Sequence, residues 1–147
     1  MDLIFKPATT QKDIKSVVEY NIDAFSDSPD FNWNLEEVNL EISDGWELFS
    51  VSFSNEIIAA VFLKSEGDAL LSKQTAIKMS HQGKEFSHRI KDFIEQKAKE
   101  KKLKKVVNHC RIDNFRMYSL NESHGYTKTN KKMDDSGQIV EWIKKLK

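Results

Sequence analysis

The sequence predicts an α/β (α+β) fold, a mixed and mostly antiparallel sheet with helices on its faces. Three observations carry that prediction. Apolar residues recur at alternating and at helical spacings in the order β α α β β β α β α β β. Turn signals separate three successive strand-like runs between Trp46 and Met79. One passage, from Leu70 through a long amphipathic helix to Val106, reads as a parallel crossover.

Taken in order, Asp2 to Lys6 is a short strand closed by Pro7. Thr10 followed by Asp13 is a capping signal for a helix through Ile14, Val17, Val18, Ile22 and Phe25. After the turn-rich segment that begins at Asp27, Leu35, Val38 and Ile42 recur at helical spacing, with Gly45 as the stop. Trp46 to Phe53 and Ile57 to Leu63 are strands around Ser54-Asn55-Glu56, a hairpin signal, and a third run from Leu70 to Met79 follows the Gly67-Asp68 turn. Phe86, Ile90, Phe93, Ile94 and Ala98 mark one face of a helix that ends in lysines up to Lys105, where cations suit the negative end of the helix dipole. Val106 to Ile112 is a strand. Asp113 or Asn114 then caps a helix with Met117 and Leu120 inward, Gly125 stops it, and two last strands flank the turn near Met133 to Gln138.

Composition narrows the function classes. A chain of 147 residues fits one domain, residues 1–147, and can bury a real core. Its 23 basic and 23 acidic side chains balance, which removes the electrostatic footprint of a general nucleic-acid binder. The first residues have no basic n-region or apolar h-region, and no apolar run is long enough to cross a bilayer, so the expectation is a cytoplasmic protein with no membrane partner. Cys110 is the only cysteine, which excludes an internal disulfide and a cysteine-rich metal site; the four histidines share no ligand spacing, and no metal is assigned.

The stretch SHQGKEFSHRI, Ser80 to Ile90, lies between a strand and the long helix. Where a strand feeds a helix beside a parallel neighbour, the helix N-terminus points amide donors at a crevice, and anions bind there. Gln82, Gly83, Lys84, Glu85, Phe86 and Ser87 occupy the places of a loop written Gln or Arg, two variable residues, Gly, one variable residue, then Gly or Ala. Thr75 and Ile77 precede it, His81-Gln82-Gly83 opens it, and Asn108, Asn114, Met117, Asn121, Gly125 and Tyr126 follow at matching intervals. In this combination the segment from Gln74 to Thr127 resembles the acyl-CoA-binding half of the GNAT superfamily of N-acetyltransferases, and within it a subgroup with Asn in place of the usual catalytic Tyr.

The resemblance implies an acyl-CoA-dependent N-acyltransferase, most simply an acetyltransferase, that uses acetyl-CoA and acts on an amine of a small molecule, peptide or protein. It implies cofactor contacts at Ile77, Met79, Gln82, Gly83, Lys84, Glu85, Phe86, Ser87, Asn114, Met117 and Asn121. The family pattern has glycine at the place of Glu85, where the backbone nears the pyrophosphate, and Ser87 replaces the second small residue. The family's tyrosine, general acid for the departing thiolate, corresponds to Asn121; Tyr118, one helical turn earlier, is the nearest phenol. Catalytic candidates are therefore Asn121 and Tyr118. In such a fold the acceptor site falls around Phe25, Asp27, Asp30 and Trp33, where acids beside aromatics suit a cationic amine, and Phe31 and Glu56 are further candidates for wall and base. A monomer or a homodimer through the last strands fits equally.

Each feature also has an ordinary structural reading. Acids are favoured at helix starts without any ligand, Asn114 is a good N-cap on its own account, and Cys110, alternating with Val106 and Asn108, reads as an inert core thiol. The lysine-rich run from Lys97 to Lys105 is a solvated helix end. The alternative function is a binding or regulatory module on the same fold with weakened catalysis, for which Glu85 and the missing tyrosine are the evidence.

Overall fold

A computed structural model of the chain describes residues 3–19, 34–74, 85–132 and 135–146. Among these residues the elements are β1 (Ile4–Pro7), α1 (Gln11–Glu19), α2 (Leu35–Ser43), β2 (Glu47–Phe53), β3 (Glu56–Glu66), β4 (Ala69–Gln74), α3 (Phe86–Glu100), β5 (Lys105–Arg111), α4 (Phe115–Ser123), β6 (Thr127–Lys132) and β7 (Ile139–Lys145). The seven strands form one sheet in the order β1-β2-β3-β4-β5-β7-β6. Pairing is antiparallel for β1 with β2, β2 with β3, β5 with β7 and β6 with β7, and parallel for β4 with β5. The mixed, mostly antiparallel sheet expected from the sequence is present, with a parallel crossover from β4 through α3 to β5.

The residues group into two compact units. The first comprises residues 1–64 and 73–86. Thr10 caps α1 by accepting a bond from the Asp13 amide, and Asn34 caps α2 by accepting from the Glu37 amide at 2.8 Å. The β2–β3 hairpin turns on Ser54 and Asn55 with φ of 49° and 68°, the two left-handed residues of a turn whose twist matches the flanking strands. Its core is the near-continuous apolar run Ile58 to Leu63 with Val17, Val38, Leu48, Phe49 and Val51. Leu35, the first residue of α2, is 36% exposed, while Val38 one turn on is fully buried. Lys73 closes this unit, with its ammonium 3.3 Å from Glu41 and 4.5 Å from the centre of the Trp46 ring.

The second unit comprises residues 65–72 and 87–147. Ile90, Ile94 and Ala98 of α3 are fully buried, as are Val106 and Cys110 of β5. The helix ends without glycine: Lys102 takes φ of 59° and the Leu103 amide reaches back to the Ala98 carbonyl at 2.9 Å, closing the last turn. β4 pairs with β5 from Ala69↔Lys105 to Ser72↔Asn108, and β7 lies along the whole of β5. β6 is one edge of the sheet, opposite β1. Its register against β7 shifts between Lys128 and Lys132, and Lys128 and Lys131 are exposed.

Candidate active site

On β5 the sequence Val-Val-Asn-His-Cys, Val106 to Cys110, places an asparagine in a buried strand. Asn108 is directly opposite Trp142 on β7. A carboxamide buried among valines needs a partner, since leaving it unpaired costs about 1–3 kcal/mol. Asn121 on α4 supplies that partner: Asn108 Nδ2 donates to Asn121 Oδ1 at 3.0 Å, and Asn121 Nδ2 donates to Asn108 Oδ1 at 3.2 Å. Asn121 is wholly buried, at 0% exposure, so its side chain belongs to this reciprocal pair.

Asn114 is the N-cap of α4, its Oδ1 accepting from the Met117 amide at 3.1 Å. The helix closes at His124, and the Asn121 carbonyl receives the Tyr126 amide at 2.9 Å. Between these ends, Tyr118 stands edge-on to Trp142, ring centres 5.0 Å apart at 75°. Phe115, 73% exposed, has its ring centre 6.5 Å from that of Tyr118, and the Lys128 ammonium lies 5.8 Å from the Tyr118 ring centre. Desolvation raises the Tyr118 phenol above its usual range, with the Cys110 thiolate adding to the shift.

Glu85 precedes α3 with φ of 63°. In this left-handed region a side chain costs about 1–2 kcal/mol that glycine escapes. The chain thus keeps a glycine-type backbone where the resemblance expects glycine. Phe86, buried, fixes the start of the helix, its ring 4.9 Å from that of Phe53. No acidic side chain lies in the first turn of α3, whose sequence is Phe86-Ser87-His88-Arg89. Such a helix start, with its amide donors and positive dipole end, suits an anionic group. His88 Nδ1 is 2.9 Å from His124 Nε2, which ties the first turn of α3 to the end of α4.

A buried ionisable cluster lies further along α3. Lys91 and Glu95, four residues apart, are both buried. Glu95 Oε1 receives Lys144 Nζ at 2.6 Å, and Glu95 Oε2 is 3.4 Å from His124 Nδ1, which is 3.8 Å from Asp92. Burial pulls the Lys91 ammonium down to about 7, against the favourable charges of Glu95 and Cys110 and with the repulsion of Lys144. Burial also lowers His124, opposed by Glu95 and Asp92, and drives Tyr126 far above its usual range, reinforced by the Glu95 charge. Among the described residues, Trp142 Nε1 is buried without a hydrogen-bond partner. Lys91 has an amine nitrogen of unusually low basicity, but its side chain is sealed from solvent and cannot meet a diffusing substrate.

Of the residues singled out in the sequence, the structure places Asn114, Met117, Tyr118 and Asn121 together on α4, and Glu85, Phe86 and Ser87 at the entry to α3. Ile77, Met79, Gln82, Gly83 and Lys84 lie outside the described residues, as do Phe25, Asp27, Asp30, Phe31 and Trp33. Trp142 and the Lys91–Glu95 pair were not expected. An asparagine inside an apolar strand was the signal for the Asn108 partnership; a lysine and a glutamate at helical spacing carry no comparable signal, because most such pairs are solvated.

The described residues contain no group of three or more His, Cys, Asp or Glu able to hold a metal, and no helix long and apolar enough to cross a membrane. No family model matches the sequence, and no curated protein matches it either. Solved structures do. The ribosomal-protein-S18-alanine N-acetyltransferase of Escherichia coli is similar with a TM-score of 0.78 at 11% identity, over 98% of this chain and 94% of that one. A GNAT family acetyltransferase of Elizabethkingia anophelis, solved with acetyl-CoA bound, gives 0.71 at 16% over 98% of each chain. The spermidine/spermine N-acetyltransferase SpeG of Vibrio cholerae, in mutant forms, gives 0.71 at 16% over 98% and 95%. The chain has the fold of the GNAT acetyltransferases.

Proposed function

We propose that the protein is an acyl-CoA-dependent N-acyltransferase, most simply an acetyltransferase, that acylates an amine of a small molecule, peptide or protein. The observation that supports this reading best is the backbone of Glu85, which holds a glycine-type conformation at the entry to α3 within a fold shared over nearly the whole chain with acetyl-CoA-binding structures. The residues present fit the cofactor: Ser87, His88 and Arg89 at the helix start offer donors and positive charge to a pyrophosphate, with Gln82, Gly83 and Lys84 beside them in sequence. Acetyl-CoA supplies the activated acyl group. The chain's own part is to hold that group, to exclude water and to move protons. Tyr118 is the phenol on α4, protonated at neutral pH and thus the side chain of that helix with a proton to give to the leaving sulfur. Asn121 holds α4 through Asn108 and has no proton to give.

The acceptor amine is read from the acids and aromatics of residues 25–33, which suit a cation. Calorimetric titration of the purified protein with acetyl-CoA and with CoA tests the function: micromolar binding, abolished when Gly83 is replaced by a bulky residue, supports it, and no binding at millimolar cofactor refutes it. The Glu85 carboxylate favours a second reading, a binding module with weakened cofactor affinity. Cofactor binding without acyl transfer to any of a broad amine panel would select that one.

A further inference from the structure

The carboxamides of Asn108 and Asn121 do more than fill space. Both are buried, at 7% and 0% exposure, and apolar side chains at both positions together would avoid the desolvation cost that the pair carries. Two parallel bonds in opposite directions fix the orientation of both side chains, which one bond or an apolar contact does not. The pair is also one side of a closed loop of contacts. Asn108 is the cross-strand partner of Trp142. Trp142 carries the Tyr118 ring at 5.0 Å. Tyr118 and Asn121 are three residues apart on α4 and share a face.

We propose that the Asn108–Asn121 pair is a positioning element that fixes the rotation of α4 on β5 and thereby places the Tyr118 hydroxyl for proton transfer; the catalytic part of this statement rests on the transferase reading. A helix turns by about 100° per residue, so a small rotation of α4 carries the phenol oxygen away from its place. The Asn114 cap holds the first turn of α4 and the Tyr118–Trp142 contact its middle, but neither fixes the rotation of the last turn as the two-bond contact at Asn121 does. In the step, the acceptor nitrogen would bond to the acyl carbon as the carbon–sulfur bond breaks, the Tyr118 O–H proton would pass to the leaving sulfur, and the proton shed by the nitrogen would go to water, from which the Tyr118 phenolate regains its own.

The test uses the full chain with Asn108→Leu and Asn108→Asp, and Tyr118→Phe to assign the phenol in a spectrophotometric titration. Asn108→Leu is expected to fold, to lower kcat about tenfold or more with KM for acetyl-CoA changed by less than about twofold, and to move the Tyr118 ionisation back toward its ordinary range. Asn108→Asp has a built-in rescue. A protonated carboxyl donates its O–H to Asn121 Oδ1 and accepts from Asn121 Nδ2, so this variant approaches wild-type melting temperature as pH falls and departs from it as the buried acid ionises. Wild-type kcat and an unmoved Tyr118 titration in Asn108→Leu overturn the proposal. So does an Asp variant no closer to wild type in acid, and that arm decides if the Leu variant does not fold. A wild-type protein that binds no acetyl-CoA removes the transferase reading instead, and the Tyr118 titration still reports whether the pair sets the phenol.

Discussion

The Lys91 ammonium lies 4.4 Å from the centre of the Tyr126 ring, with the lysine 1% exposed. The ring face, Glu95 and the nearby Cys110 attract the charge, but they do not replace the water it has lost, and its pKa falls from 10.5 to about 7. Between pH 7 and 10.5 the unfolded chain binds more protons at this site than the folded one, so the site makes stability rise with pH across that window. Below it the full cost of burying the ammonium is present.

Lys91→Met is therefore expected to stabilise the protein at neutral pH, by roughly 1–3 kcal/mol, because Glu95 keeps its 2.6 Å contact with Lys144. The gain shrinks toward pH 10. Melting temperatures of both proteins between pH 6 and 10 check this, and a constant difference across the series contradicts it.

Glu85 and Lys102 share a left-handed backbone, with φ of 63° and 59°. Replacing either by glycine removes a steric cost, and each variant is expected to gain about 0.5–1 kcal/mol after the unfolded chain's added freedom is counted. Only Glu85→Gly also removes a carboxylate from the entry to α3, so only it is expected to tighten CoA binding, and more so at low salt. Calorimetry at two ionic strengths separates the two effects, with Lys102→Gly as the control.

Asn114→Ala removes the side-chain acceptor for the Met117 amide. The expected loss is about 1 kcal/mol of stability, read as a lower denaturation midpoint with unchanged slope. A larger fall in CoA affinity than this stability change explains would mark a contact of Asn114 with the cofactor as well.

Tyr118→Phe keeps the edge-on contact with Trp142 and loses only the hydroxyl. If the phenol donates at the leaving sulfur, kcat falls about 10²-fold with little change in KM. An unchanged kcat assigns that proton to solvent.

The order of elements was legible because the patterns that carry it are local. Thr10 caps α1, Asn34 and Asn114 cap α2 and α4, and Ser54-Asn55 turns the hairpin through contacts within a few residues. Those local signals also located α4 as the helix carrying Asn114, Met117, Tyr118 and Asn121. They could not tell Asn121 that its partner lies thirteen residues back on β5, or that Trp142 lies opposite that partner. Lys91 and Glu95 were hidden for a related reason. On α3 they lie beside Ile90 and Ile94, and their burial depends on Tyr126 and Lys144, distant in sequence, which no periodicity in the helix records.

The outer strand β6 carries two exposed lysines, Lys128 and Lys131, beside an interrupted ladder. Two copies of the chain laid antiparallel along that strand would bring four such cations into one seam and would meet a backbone whose donors and acceptors are out of step. Coulomb repulsion across the seam weakens as ions are added, while the broken ladder does not mend. Added salt therefore lowers only the charge part of the cost of pairing along this edge.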